Sequence, residues 1–300
     1  MTDALLLLPD FALILTGFAV CRWTPLGRTV WDGAERLVYY MLFPALLFTA
    51  IARNPLRPGD ALPLAVGALG VTALGIALAL SLRRWPGVSP ALHASGAQVA
   101  FRFNSYVALA VVERMTGAPG LASIAVVVSL VVPLCNVAAV WPLAQHGRIG
   151  YGRELLRNPL ILATGSGLVF NMLGLQLPTL AATTLQRMGG AALPLGLLAV
   201  GAGLRLGALR DGPALAGALL AIRHLLLPVA ALAYAIASGL PPVQQTVLVV
   251  FSALPTATSA YVLAARMGGR GDYVAGLVTV STLLGMLSLP LALMALAALR

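Results

Sequence analysis

The chain has 300 residues, of which 60% are hydrophobic and only 9% charged, and its mean hydropathy is +0.94. A soluble domain carries about a quarter charged residues, so a water-soluble globular fold is excluded and the chain reads as an integral membrane protein. The net charge of +10 comes from nineteen arginines and no lysine. They stand singly or in pairs at the ends of apolar runs, not in the patch that a nucleic-acid binder needs.

A membrane-spanning helix needs about 20 predominantly apolar residues. Ten such windows follow one another: 4–21, 37–52, 61–82, 94–115, 120–144, 158–175, 185–206, 213–238, 243–265 and 273–299. The first lacks a basic leader and carries Asp3 and Asp10, so it reads as a retained helix rather than a signal peptide. The second is short, which implies a start nearer Arg36 or a tilt. The longest connections, 22–36, 83–93 and 145–157, are too brief for a soluble domain. No sustained alternation of apolar and polar residues suggests a β-barrel. Cys21 and Cys135 form no metal-binding spacing. With the N-terminus outside, twelve arginines fall in cytoplasmic connections and five outside. By the positive-inside rule both termini are external.

The two halves resemble each other. The segment 42–48 matches 192–198 at an offset of 150, and 113–117 matches 265–269 at an offset of 152. Each half holds five spans, and five is odd, so the second half enters the membrane from the opposite side. The expected architecture is therefore an all-α polytopic membrane protein of ten transmembrane helices in two inverted five-helix repeats. The repeats are 1–147 and 158–300, joined by a cytoplasmic linker at 148–157.

Inverted repeats place the substrate near the bilayer midplane, at broken helices. Pro255 lies half-way along the ninth window, followed by Thr256, Thr258 and Ser259. Proline breaks the helical hydrogen-bond ladder, and hydroxyls can satisfy the freed backbone or face a solute. The repeat mate carries Arg102, Asn104, Ser105 and Tyr106 in the fourth window, with Asn104 opposite Thr256 and Tyr106 opposite Thr258. A charge at the bilayer centre costs at least ~2.5–3.5 kcal/mol on insertion scales. Arg102 is therefore expected either to serve as the counter-charge for an anion or to bind a carbonyl of the other broken helix. Asn104 binds solute or bridges helices.

The segments 37–56, 101–117, 132–140, 157–178, 193–204 and 254–269 resemble, in order and across both halves, the auxin efflux carrier family. That family includes plant PIN carriers and bacterial organic-anion permeases. The resemblance implies ten helices, external termini and a binding site where the fourth and ninth helices cross. It further implies elevator-type carriage of carboxylate solutes such as malate or auxin-like acids, across a bacterial cytoplasmic (inner) membrane. On that pattern Asn136 matches the asparagine of the fifth helix, and Pro44 and Pro194 match paired hinge prolines of the second and seventh. A homodimer is implied by the resemblance alone. The family's fourth helix commonly carries a proline shortly after its asparagine, and this chain has none there.

Other functions fit less well. An intramembrane metalloprotease needs a histidine–glutamate helix pair, and no HExxH occurs. The TGSG run at 164–167 with His224 could mimic a Ser–His dyad, but small residues at helix interfaces account for it. No enzymatic activity, cofactor or metal is therefore expected. A sodium-coupled bile-acid-type symporter is the alternative within transport, and a non-transporting sensor or scaffold the alternative outside it. Arg223 and His224 are expected at a cytoplasmic helix start, and His93 and His146 in loops.

Overall fold

The computed structural model describes residues 8–53, 58–143, 159–204 and 211–300. The linker expected at 148–157 and His146 lie outside them. So do Arg57, Arg148, Arg153, Arg157, Arg205 and Arg210 of the arginine count.

Among the described residues every regular element is helical. Helix α1 is Leu8–Trp23, and α2, Arg28–Leu37, runs through a π-turn at Val38–Leu42 into α3, Phe43–Arg53. Helix α4 is Pro58–Ser81 and α5 is the short Pro90–Gly96, followed by a 3₁₀ turn at Ala97–Ala100. Then come α6, Ser105–Leu143, α7, Pro159–Met172, and α8, Thr179–Ala202. Helix α9, Pro213–Ala221, passes through a π-turn at Ile222–Leu226 into α10, Leu227–Ala237. The chain ends with α11, Pro242–Ala253, α12, Ser259–Arg266, and α13, Gly271–Leu299. Proline opens α5, α9 and α11 within the first two positions, where its missing N–H is lost to no hydrogen bond.

Among the described residues, five stretches are long and apolar enough to cross a membrane: Arg28–Arg53, Ala61–Arg84, Pro90–Leu143, Pro213–Ala237 and Gly271–Leu299. The third, at 54 residues, would reach ~80 Å if straight, far beyond the ~30 Å of bilayer hydrocarbon. It is interrupted at 101–104 and again at Gly117, whose φ of +64° is open to glycine but strained for other residues. Large apolar side chains point outward, among them Leu180, Trp141, Leu287 and Leu291. In water this coat would be an aggregation surface, and against lipid it is the solvated face. The protein is an all-α polytopic membrane protein.

Two sequence expectations change here. The second window does not start at 36 or 37: α2 begins at Arg28, so Arg28–Arg53 spans 26 residues and is not short. The eighth does not begin near Arg223, since its helix starts at Pro213. Arg223 consequently lies mid-helix and fully buried.

The helices sort into two bundles by their contacts. In one, α8 packs along α1, α2 and α3, and α7 packs on α3. The close approach of α1 to α8 needs glycine. A Cβ on Gly17 would collide with the Leu198 carbonyl, and one on Gly201 with that of Ile14. The TGSG run sits in this bundle, where Gly167 packs against the Phe48 backbone, so its small residues serve helix packing. In the other bundle, α11 is surrounded by α4, α6, α10 and α13, while α12 lies on α13. Helix α6 makes the main contacts between the bundles, touching α1, α3, α7 and α8.

Candidate functional site

The fourth and ninth windows are both broken, and the breaks meet. After the 3₁₀ turn the chain is non-helical from Phe101 to Asn104, and after α11 it is non-helical from Leu254 to Ala257 before the turn residue Thr258. The Asn104 backbone N–H donates to the Pro255 carbonyl at 2.9 Å. Arg102 Nη2 donates to Ser259 Oγ at 3.1 Å. The edge-to-face pair of Phe103 and Phe251, 4.8 Å between centroids, closes the crossing on its apolar side. The fourth-window break thus forms without the proline common in the resembled family.

Several of the freed backbone groups at the crossing have identifiable partners. Asn104 Oδ1 accepts the N–H groups of Tyr106 at 3.0 Å and Val107 at 3.3 Å, making Asn104 the N-cap of α6. The Cys135 thiol donates to the Phe101 carbonyl at 3.4 Å. At the other break, Arg223 Nε donates to the Leu254 carbonyl at 2.7 Å and Nη2 to that of Phe251 at 2.9 Å. A cation on these carbonyls also offsets the negative end of the α11 dipole. The Thr256 N–H donates to Ser281 Oγ at 2.9 Å. Ser281 in turn contacts His224 Nε2 at 2.8 Å. His224 Nδ1 lies 2.9 Å from Ser288 Oγ, which reaches the Ala253 carbonyl at 3.4 Å.

One proton arrangement satisfies this chain throughout. Ser281 donates to Nε2, Nδ1–H donates to Ser288, and Ser288 donates to Ala253; this is the neutral Nδ1–H tautomer. Arg223 and His224 were expected at a solvated interface. They instead hold both ends of the ninth-window break, from a π-turn of the kind common at functional sites. His93 is likewise not a loop residue: it is buried in α5 and contacts the Ala79 carbonyl at 2.8 Å.

The side of the crossing that faces the first bundle is polar. Thr258 faces the Glu35 carboxylate. Arg28 pairs with Asp32 at 2.8 Å and Glu35 at 3.6 Å, and donates to Tyr261 Oη at 2.9 Å. The Tyr106 ring packs on Phe43 at 4.6 Å. Three arginines (Arg28, Arg102, Arg223) thus stand against two carboxylates, Asp32 and Glu35. Two buried donor-bearing groups, Asn104 Nδ2 and Arg223 Nη1, have no hydrogen-bond partner among the described residues, and neither does Thr256 Oγ1. The balance of charge and donors suits an anion.

Comparisons with known proteins bear on the chain as a whole. A model of the family described as "Membrane transport protein" matches residues 149–293. A protein of Rhizobium meliloti (strain 1021), named "Putative malonate transporter", is 26% identical over 311 residues, covering 93% of this chain and 91% of that protein. The resemblance to the auxin efflux carrier family holds. Over most of its length the chain is similar to a protein named as a transporter, and over its second half to a family of membrane transport proteins.

Of the residues expected at the site, Arg102, Asn104, Ser105, Tyr106, Pro255, Thr256, Thr258 and Ser259 lie along the two crossing segments. Asn104, Thr256 and Thr258 are buried, and Ser259 is exposed. Asn136 follows Cys135 on α6 and is half-buried. Pro44 follows the π-turn at the start of α3, and Pro194 lies inside α8 on an exposed face. Arg223, His224, Ser281 and Ser288 join the site beyond the expected residues. The one available signal was a charged pair inside an otherwise apolar window.

Proposed function

We propose that the protein is a secondary transporter that carries a small organic anion, with a dicarboxylate such as malonate as the first candidate, across a bacterial cytoplasmic membrane. The observation that carries the proposal is the crossing itself. Two broken helices meet through Asn104 and Pro255 beside Arg102, leaving a net excess of arginine and a free amide donor. A carboxylate is matched by a planar guanidinium and N–H donors. The relative's name supports the substrate class.

The proposed architecture is ten spans in two inverted five-helix repeats, with external termini. The matching offset of the two breaks supports it, since Asn104 and Thr256 fall 152 apart, as do the matched segments 113–117 and 265–269. The two-bundle packing supports alternating access in which the bundle carrying the crossing slides against α1, α2, α3, α7 and α8. Asn136, Pro44 and Pro194 are assigned to substrate contact and hinge motion on the resemblance, and assembly as a homodimer is proposed on the same ground.

The test is uptake into proteoliposomes of malonate, malate, pyruvate and indole-3-acetate under separately imposed potential, pH and Na⁺ gradients. Saturable flux of one carboxylate supports the proposal, and the gradient it follows identifies the coupling. No flux of any, in folded protein, contradicts it and favours a sensor or scaffold.

A further inference from the structure

Asp10 and Arg114 form a bidentate pair between the two bundles: Arg114 Nε donates to Oδ2 at 3.0 Å and Nη2 to Oδ1 at 2.7 Å. Asp10 lies in the first turn of α1 and is only 3% exposed. Its helix is fastened to α8 by the close approach at Gly17 and Gly201, so Asp10 moves with the first bundle. Arg114 belongs to the second. It sits three residues before the Gly117 kink, on the same half of α6 whose N-terminus Asn104 caps at the crossing. Ten residues of helix, ~15 Å, separate the pair from the crossing.

Contacts between α1 and α6 are otherwise sparse. Beside the pair is a cleft of about 380 Å³, lined by Asp10, Leu13, Ala110, Glu113, Arg114 and Leu193 among others. A static strut needs no such room. A pair that opens does, because both charges must find other partners. The cleft is large enough to hold water, and the exposed Glu113 offers Arg114 a second carboxylate.

We propose that the Asp10–Arg114 pair is a latch between the bundles, closed in the arrangement seen here and opened once per transport cycle. Helix α6 links it to the crossing, so a shift of Asn104 on anion binding is felt at Arg114. The latch rests on the sliding-bundle reading above.

The test is thiol labelling of Gly190→Cys. Gly190 lines the cleft, and a Cβ there meets nothing within 4 Å. The native protein, which keeps Cys21 and Cys135, provides the background rate. Asp10→Asn is expected to speed labelling at least five-fold, and Arg114→Gln to do the same. The charge-exchanged pair Asp10→Arg/Arg114→Asp is expected to return it to within two-fold of the parent. Unchanged labelling in folded Asp10→Asn, with or without a loss of thermal stability, makes the pair a static strut and overturns the proposal. So does a folded exchange variant that stays as fast as the single variants. If Asp10→Asn does not fold, Arg114→Gln and the exchange decide. Labelling needs no substrate: a shift without carboxylate flux leaves the latch and sinks the substrate, and flux without a shift does the reverse.

Discussion

The Asn104 amide and the Pro255 carbonyl are joined at 2.9 Å, so the two breaks are one structural unit built from opposite halves of the chain. Each break alone would leave backbone groups unsatisfied in hydrocarbon, where every such group is costly. Together, and with Arg223 and Ser281, they satisfy the Asn104 and Thr256 N–H groups and the Phe251, Leu254 and Pro255 carbonyls while leaving the Asn104 side-chain nitrogen free.

Asn104 performs two separable tasks. Its Oδ1 caps α6, and its Nδ2 is the unpaired donor. Asn104→Asp keeps the capping oxygen but replaces the donor with negative charge. Thermal stability of Asn104→Asp is expected to stay near that of the parent, with anion uptake reduced at least 100-fold. Asn104→Ala is expected to lose uptake and also about 1 kcal/mol of stability. Melting curves and uptake on the same preparations separate the two effects.

Arg102 donates to Gln98 Oε1 at 3.3 Å and to Ser259 Oγ at 3.1 Å, two neutral acceptors. Neither neutralises its charge, which leaves the guanidinium electrostatically able to bind a carboxylate. Arg102→Gln is expected to raise the KM for the transported anion at least ten-fold. Arg102→Lys is expected to recover only part of this, because an ammonium lacks the planar fork. Concentration-dependent uptake checks both; equal KM in all three proteins contradicts the assignment.

His224 bridges Ser281 and Ser288, and through them the Thr256 N–H and the Ala253 carbonyl. His224→Leu leaves the buried Ser281 hydroxyl without its acceptor, at about 1–3 kcal/mol for a group left unsatisfied. A lower melting temperature is expected, with His224→Gln falling between leucine and the parent. Identical melting of all three would remove His224 from the support of the break.

Pro255 packs its ring on Gly285, where an added Cβ would come within 3.1 Å of the proline Cδ. Gly285→Ala is expected to displace the break and destabilise the fold by about 1–3 kcal/mol. Pro255→Ala relieves that contact. Uptake by Pro255→Ala is expected to fall several-fold, because the restored N–H favours a continuous helix. Unchanged uptake would make the proline a packing residue only.

The crossing was largely legible in the sequence. Pro255 disrupts an apolar run with a known backbone consequence, and the repeat offset carried that inference to Asn104, which has no proline beside it. Arg223 was misread for a physical reason. An arginine in an apolar window reads as an interfacial residue unless its acceptors are known. Here they are the Leu254 and Phe251 carbonyls, 31 and 28 residues away, and hydropathy does not encode such long-range pairing. Asp10 stands out in the sequence as an acid within the first apolar window, but its partner lies 104 residues on. The start of α2 at Arg28 was hidden by its charges, Arg28, Asp32, Glu35 and Arg36, which lowered the window's hydropathy although the helix continues through them.

Anion carriage is proposed to pass through the Asn104–Pro255 crossing. Its most direct measurement is saturable uptake of radiolabelled malonate into proteoliposomes holding equal amounts of folded parent and Asn104→Asp protein. Concentration-dependent uptake is expected of the parent, and none above empty liposomes of the variant. Equal uptake by both would place the transport pathway elsewhere in the molecule.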